Sequence, residues 1–219
     1  MNEKKLLKLD LQHFAEKNYK SFTGLKEFYY GELNDDDTGI KDVTPERIEF
    51  LQNISIETTQ EMSRAYGDNT VAEMAVSTGA TTLTTTFHKL PIEDRVRLYG
   101  YEELNGLYGL SANPNPPYVA CVFAKTSEDG GTEWIGFTKG IFTVAGEEAA
   151  TKGETVEFTG QETTGEFMPR EVDGASEEMT YLIAYDAPGE TTQRDALFQA
   201  VFGTPYPGET ENDGGGVEG

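Results

Sequence analysis

Apolar and polar residues alternate along most of the chain in short runs, and turn-forming residues separate these runs. Alternation with period two is typical of strands that bury one face. The densest turn signals, rich in Asn, Asp and Gly, fall at 34–39 and 127–131. The runs lie at 24–30, 54–56, 81–87, 118–124, 134–137, 141–144, 156–158, 164–168 and 179–185. The pattern predicts eight or nine strands, with 118–124 as a central strand because it is apolar throughout.

Two segments instead have helical spacing. The first has Pro91 in its first turn, carries the acidic residues Glu93 and Asp94 near its start and ends at Gly100. The second covers 195–202, where apolar residues recur every three or four positions. Many strands with two helices predict a mainly-β fold: a sandwich or barrel with one flanking helix and a short C-terminal helix.

The stretch 61–79 differs from the other strand-like segments. It has turn chemistry at 66–70 but only modest apolar content, including Met74 and Val76. Such a segment lacks the anchors of a core strand. We interpret it as a long hairpin that reaches away from the body, and as a candidate loop between subunits.

The chain divides into an N-terminal arm at 1–21, one domain at 22–203 and a flexible, acidic, Gly-rich tail at 204–219. Lys8 and Asp10 interrupt the apolar residues of the arm, so neither a secretory signal nor a membrane span is expected.

Charge restricts the classes of partner. The 17 Lys and Arg residues face 39 Asp and Glu residues, a formal net charge of -22. Such a surface repels phosphate and does not bind nucleic acid by counterion release. Self-association must then depend on shape, backbone pairing or buried apolar groups. The single cysteine excludes an intramolecular disulfide framework and a multi-cysteine zinc site.

Few residues suggest catalytic or metal chemistry. His13 and His88 are isolated histidines, and Cys121 lies in the most apolar run, where a buried inert thiol is expected. The acidic loop 34–39 resembles a calcium loop, but the position that needs an acidic ligand is Pro45. A solvated turn is the simpler interpretation, with weak divalent binding left open.

Sequence motifs for enzymes are also missing. There is neither a phosphate-binding loop nor a nucleophile elbow, and the carboxylate pairs at 147–148 and 177–178 carry no specificity in so acidic a chain. We predict no catalytic, cofactor-binding or metal site, and no enzymatic activity.

Six segments, taken in order, carry a resemblance to a known family. The chain resembles the major tail tube proteins of long-tailed, non-contractile phages and prophages of Gram-positive bacteria. The resemblance covers roughly 22–202, and the arm and the tail lie outside it. The segments are 24–30 (GLKEFYY), 90–93 (LPIE), 116–120 (PPYVA), 138–142 (TKGIF), 151–158 (TKGETVEF) and 165–171 (GEFMPRE).

The resemblance implies a structural subunit of the virion tail that is made in the host cytoplasm. It implies a β-sandwich with a flanking helix, and hexameric rings stacked head to tail around a lumen that conducts DNA. The implied partners are other copies of the chain, the tape measure protein, the tail terminator, the initiator complex, and DNA in transit without specific binding. An acidic lumen would repel DNA, although alternation alone does not tell which face looks inward.

Two other functions compete with the tube. A baseplate or host-binding β-module would form a discrete trimer or hexamer and recognise cell-wall saccharide. A hydrolase would need two carboxylates at a fixed separation in a cleft, and the sequence singles out no such pair.

Overall fold

The computed structural model describes residues 19–67, 70–144, 146 and 160–208. The mainly-β prediction is confirmed: this part of the chain holds ten strands and two helices. The strands are β1 Phe22–Glu32, β2 Glu46–Ile48, β3 Leu51–Gly67, β4 Thr70–Phe87, β5 Glu102–Leu104, β6 Leu107–Gly109, β7 Val119–Ser127, β8 Thr132–Thr143, β9 Gln161–Met168 and β10 Tyr181–Asp186. The helices are α1 Ile92–Tyr99 and α2 Thr192–Phe202.

Eight strands form one antiparallel sheet in the order β2-β1-β7-β8-β9-β4-β3, and β10 also pairs with β8. One edge of β8 is shared, because β10 pairs with its first half and β9 with its second half. On the other edge lies β7, whose residues Val119 to Ala124 are fully buried. The prediction of a central apolar strand is therefore confirmed.

The sheet curls strongly and encloses its own core. Phe28 of β1 and Phe87 of β4 have ring centroids 5.1 Å apart, although β7, β8 and β9 lie between their strands. In a flat sheet the two strands would be roughly 19 Å apart. Curvature of a single sheet, closed over by Leu98 and Tyr99 of α1, thus forms the larger core.

A second core lies on the convex side of the sheet under α2. Phe198 packs edge-on against Tyr29 and Trp134, at 5.3 and 5.9 Å between ring centroids. The Arg170 side chain, which is buried, donates hydrogen bonds to the carbonyls of Ala200 and Val201 at the end of the helix. This contact joins the chain after β9 to α2.

Helix α1 lies where its sequence predicts, with its end at Gly100 as expected and its start at Ile92, one residue after Pro91. Pro91 is the N-cap, and Gly100 ends the helix in the left-handed region at φ 65°. A Cβ at Gly100 would also lie 2.8 Å from the Asn115 carbonyl oxygen. The position therefore favours glycine for conformation and for space. The Tyr30 hydroxyl donates to Asp94 at 2.6 Å and fixes the helix on β1.

Some elements differ from the sequence prediction. Strand β2 and the hairpin β5–β6 were not predicted, and α2 begins three residues before 195. Tyr206, within the predicted tail, packs between Phe198 and Trp134. The predicted strand at 156–158, most of the arm (1–18) and most of the tail (209–219) lie outside the described residues. No helix in the described part of the chain is long and apolar enough to cross a membrane.

Candidate functional site

Cys121 is fully buried in β7 and faces the larger core. Burial raises the pKa of its thiol well above the usual value, while a backbone hydrogen bond involving Phe137 acts weakly in the opposite direction. A thiol in this environment stays protonated and is a poor nucleophile. The structure therefore confirms the prediction that Cys121 is buried.

The acidic loop at 34–39 is organised by its own hydrogen bonds. The Asn34 side chain accepts from the Thr38 amide at 3.0 Å and donates to the Thr38 hydroxyl at 3.1 Å. The Asp37 carboxylate forms an ion pair with Lys139 of β8. One of the three aspartates thus serves to hold the loop against the sheet.

The remaining candidate residues are dispersed. His88 is exposed and lies beside Phe50, with ring centroids 6.4 Å apart, and Glu177 and Glu178 are exposed in the loop before β10. His13 and the pair 147–148 lie outside the described residues. Across the described ranges, no group of three His, Cys, Asp or Glu residues could hold a metal ion.

The convex face of β3, β4 and β9 carries a polar surface within the body of the sheet. Along β4 the core-facing residues Leu83, Thr85 and Phe87 alternate with threonines that point outward. Pairing of β4 with β3 and β9 aligns these threonines with outward residues of both neighbours in three rows. The rows contain carboxylates, hydroxyls and one amide, with neither lysine nor arginine. They are Asn53, Thr86 and Glu162; Ser55, Thr84 and Thr164; and Glu57, Thr82 and Glu166. We call this surface the polar sheet face.

Beyond the body, β3 and β4 continue as a projecting hairpin, here called the long arm (60–67 and 70–79). Its side chains are exposed on both faces wherever they are described. One face carries Met62, Met74 and Val76, each more than half exposed, together with Tyr66 and Arg64. The predicted hairpin is confirmed, and the structure adds that one of its faces is apolar.

The opposite face of the long arm is different. It consists of small residues and two carboxylates, because Glu61 pairs with Ser77, and Glu73 with Ala65. The long arm is therefore amphipathic, and its apolar face carries one cation and no anion among the described side chains.

A second projecting hairpin, here called the short arm (102–110), was missed in the sequence. Its turn is Asn105-Gly106, with φ of 52° and 80°. That dipeptide is the strongest short-range signal for a two-residue hairpin and could have revealed it. Leu104 and Leu107 pair across the turn and are 68% and 71% exposed.

A third exposed apolar surface lies on β10. Its outward residues alternate along one face and are Tyr181, Ile183 and Tyr185. Two of them pair with the core residues Phe137 and Ile135 of β8, so the stripe continues the core face of the sheet to where no other described element covers it. Among the described strands, β10 pairs with β8 alone, so no described strand covers its other edge. We call this surface the β10 stripe.

These surfaces favour association of protein chains over chemistry on a small molecule. Stable monomers rarely expose several apolar surfaces, and surfaces of this kind mark sites of protein contact. The nine residues of the polar sheet face include no apolar side chain, and the exposed Met168 follows them at the end of the same face of β9. The arrangement can therefore join several chains while leaving one broad polar surface in contact with solvent.

The comparisons with known proteins agree with this architecture. A family model described as phage tail tube protein matches residues 18–205 of the 219-residue chain. No curated protein matches the chain significantly. Proteins of this family are structural components of the virion tail, not enzymes, and assemble with copies of themselves and with other tail proteins. Because the match covers most of its length, the chain belongs to the phage tail tube protein family.

Proposed function

We propose that the protein polymerises as stacked hexameric rings, and that its polar sheet face lines a lumen through which DNA leaves the capsid. The observation that carries this proposal is the composition of that face. Its nine residues hold three glutamates, four threonines, one serine and one asparagine, with no basic residue. A wall of this kind offers no cationic side chain that could displace the counterions of the DNA phosphates, so passing DNA does not adhere.

The curvature of the sheet supports the same orientation. The concave side is filled by the aromatic core and α1, and α2 covers the convex side over β1, β7, β8 and β10. The convex side of β3, β4 and β9 keeps a broad surface without a covering element among the described residues. Strands from neighbouring subunits that meet at such a surface can close into a wide barrel, which removes exposed sheet edges.

The partners follow from the position of a tube between capsid and tail tip. The tape measure protein, the tail terminator and the initiator complex would contact the lumen or the ends of the polymer. The chain would assemble in the host cytoplasm and remain in the virion tail.

Negative-stain electron microscopy of the full chain at high protein concentration tests the assembly. Hollow tubes or stacked rings are expected. A discrete trimer or hexamer that binds cell-wall saccharide would support a host-binding module instead, and monomers at every concentration would overturn the proposal.

Thiol labelling tests which face lines the lumen. A Ser55→Cys chain should react with a small maleimide in both the monomer and the tube. A maleimide attached to a bulky polymer should react with the monomer but only slowly with the tube. The buried Cys121 provides little background. Equal labelling of monomer and tube by the bulky reagent would show that the polar sheet face lies outside.

A further inference from the structure

The exposed apolar surfaces of the two arms differ in charge in a complementary way. The apolar face of the long arm carries Arg64, whose guanidinium donates a weak hydrogen bond to the Met62 sulfur at 3.7 Å. The short arm carries Glu102 and Glu103 and no basic residue. The chain has a net charge of -22, so it is unusual that the charged side chain described on this apolar surface is an arginine. Such a surface would attract an acidic apolar partner.

The register of the short arm shows which carboxylate could take part. Leu104 pairs with Leu107 and Glu102 with Gly109, so Glu102 shares a face with the two leucines. Glu103 pairs with Tyr108 and lies on the opposite face. The leucine face thus combines two large apolar side chains with one carboxylate. The long arm combines two methionines and a valine with one guanidinium.

The short arm also needs support from another surface. Residues 102–110 are all exposed, and a two-stranded hairpin without packing is marginally stable in water. Exposed leucines on such a hairpin are unfavourable in an isolated monomer, but they suit insertion against a second apolar surface.

We propose that the leucine face of the short arm docks on the apolar face of the long arm of another copy of the chain, with Glu102 opposite Arg64. This inference rests on the proposed tube and names one of its contacts. The two surfaces are different patches of one chain, so the contact is heterologous and repeats from copy to copy, as a ring or a stack requires. The long arm extends roughly 25 Å beyond the body, which is enough to reach a neighbour.

A charge exchange tests the pairing. Arg64→Glu should reduce the yield of tubes roughly tenfold, because it places two carboxylates together at the contact. Adding Glu102→Arg in the same chain should restore most of that yield. Adding Glu103→Arg instead is the matched control: it changes net charge equally but on the other face of the short arm, and should not restore assembly. Equal rescue by both, or by neither, would overturn the pairing.

Cysteine cross-linking tests the contact without depending on charge. Met74→Cys chains are mixed with Leu107→Cys chains carrying a size tag, assembled and mildly oxidised. A mixed dimer is expected, because the two positions face each other in different copies. Met74→Cys mixed with Ile183→Cys tests the rival in which the long arm docks on the β10 stripe, and should give little product.

The outcomes separate this inference from the proposed function. Wild-type chains that never form tubes or rings would overturn both. Tubes that form normally but give no cross-link between positions 74 and 107, or a stronger one between 74 and 183, would overturn the docking alone. Circular dichroism of each variant as a monomer shows that the fold is retained, as expected for substitutions at exposed positions.

Discussion

The same two strands, β3 and β4, behave differently in their two halves. In the body, Ile54 and Ile56 pack toward the core beside the fully buried Leu83. In the long arm, Met62 continues the same alternation along β3, and its partner Val76 follows a one-residue shift in β4; both are more than half exposed. Each half thus has one apolar face, and the covering elements differ. A strand pattern therefore identifies which face is apolar, whereas the packing partner must come from the rest of the chain or from another chain.

Removing a body side chain should have the largest effect on folding. Phe87→Ala deletes a fully buried ring that contacts Phe28, so the free energy of unfolding should fall by about 3–5 kcal/mol. The matched change in the long arm, Met74→Ala, should alter it by about 0.5 kcal/mol or less. Urea unfolding of the monomer measures both. Similar losses for the two variants would show that the long arm is packed in the monomer.

A smaller loss is expected where the body holds α2. Arg170→Ala removes the two hydrogen bonds to the Ala200 and Val201 carbonyls and should lower the free energy of unfolding by about 1.5–3 kcal/mol. Burial lowers the pKa of the Arg170 guanidinium, with Asp37 acting in the opposite direction, which shows that the charge is costly to bury. Thermal unfolding measures the change. An unchanged midpoint would mean that this desolvation cost cancels the hydrogen bonds.

A pH-dependent effect is expected at the contact between α1 and β1. Burial raises the pKa of Asp94, while the hydrogen bond from Tyr30 lowers it in part. The folded state thus binds the proton more tightly than the unfolded state. The resulting stabilisation is present below the unfolded pKa and is lost as pH rises through the folded pKa.

Asp94→Asn removes this titration but keeps an acceptor for Tyr30. As pH falls from 7 to 4, the free energy of unfolding of the wild type should rise relative to that of the variant. Urea unfolding at pH 7 and at pH 4 measures the difference. Tyr30→Phe, which removes the hydrogen bond that lowers the pKa, should shift the gain to higher pH. If the difference in free energy of unfolding between wild type and Asp94→Asn did not change with pH, the raised pKa of Asp94 would be contradicted.

The smallest effect on folding and the largest on assembly should come from the long arm. Deleting 64–71 removes its tip, where the described side chains make no core contact, so the free energy of unfolding should change by about 0.5 kcal/mol or less. The variant should remain a soluble monomer at concentrations where the wild type forms tubes. Electron microscopy decides the result, and normal tubes would remove the long arm from the assembly contacts.

Much of the fold could be predicted from the sequence, because local rules decide it. Pro91 and Gly100 bound α1, and the apolar run before Lys125 predicts the central strand. Strand β2 escaped prediction, because three residues carry too little periodic signal. The curl of the sheet could not be predicted either, since contacts such as Phe28 with Phe87 join residues far apart in the chain.

The polar sheet face illustrates the same limit. Its threonines at 82, 84 and 86 are visible as an alternating run, but their alignment with Glu162 and Glu166 depends on the pairing of β4 with β9. The short arm, in contrast, was predictable from Asn105-Gly106 and was overlooked among the glycines and prolines of its connection.

The register shift between Thr58 and Gln60, where the body of the hairpin gives way to the long arm, has a mechanical consequence. On the body side, β4 is held between β3 and β9, whereas beyond the shift it pairs with β3 alone. A pull along the arm runs parallel to the strands and loads the body's ladder in shear, so many hydrogen bonds must break together. At the shift itself one residue of β4 is left out of the pairing, so the ladder is interrupted there. A force on the long arm would therefore have to break the paired ladder of the body before it could pull the arm out of the subunit.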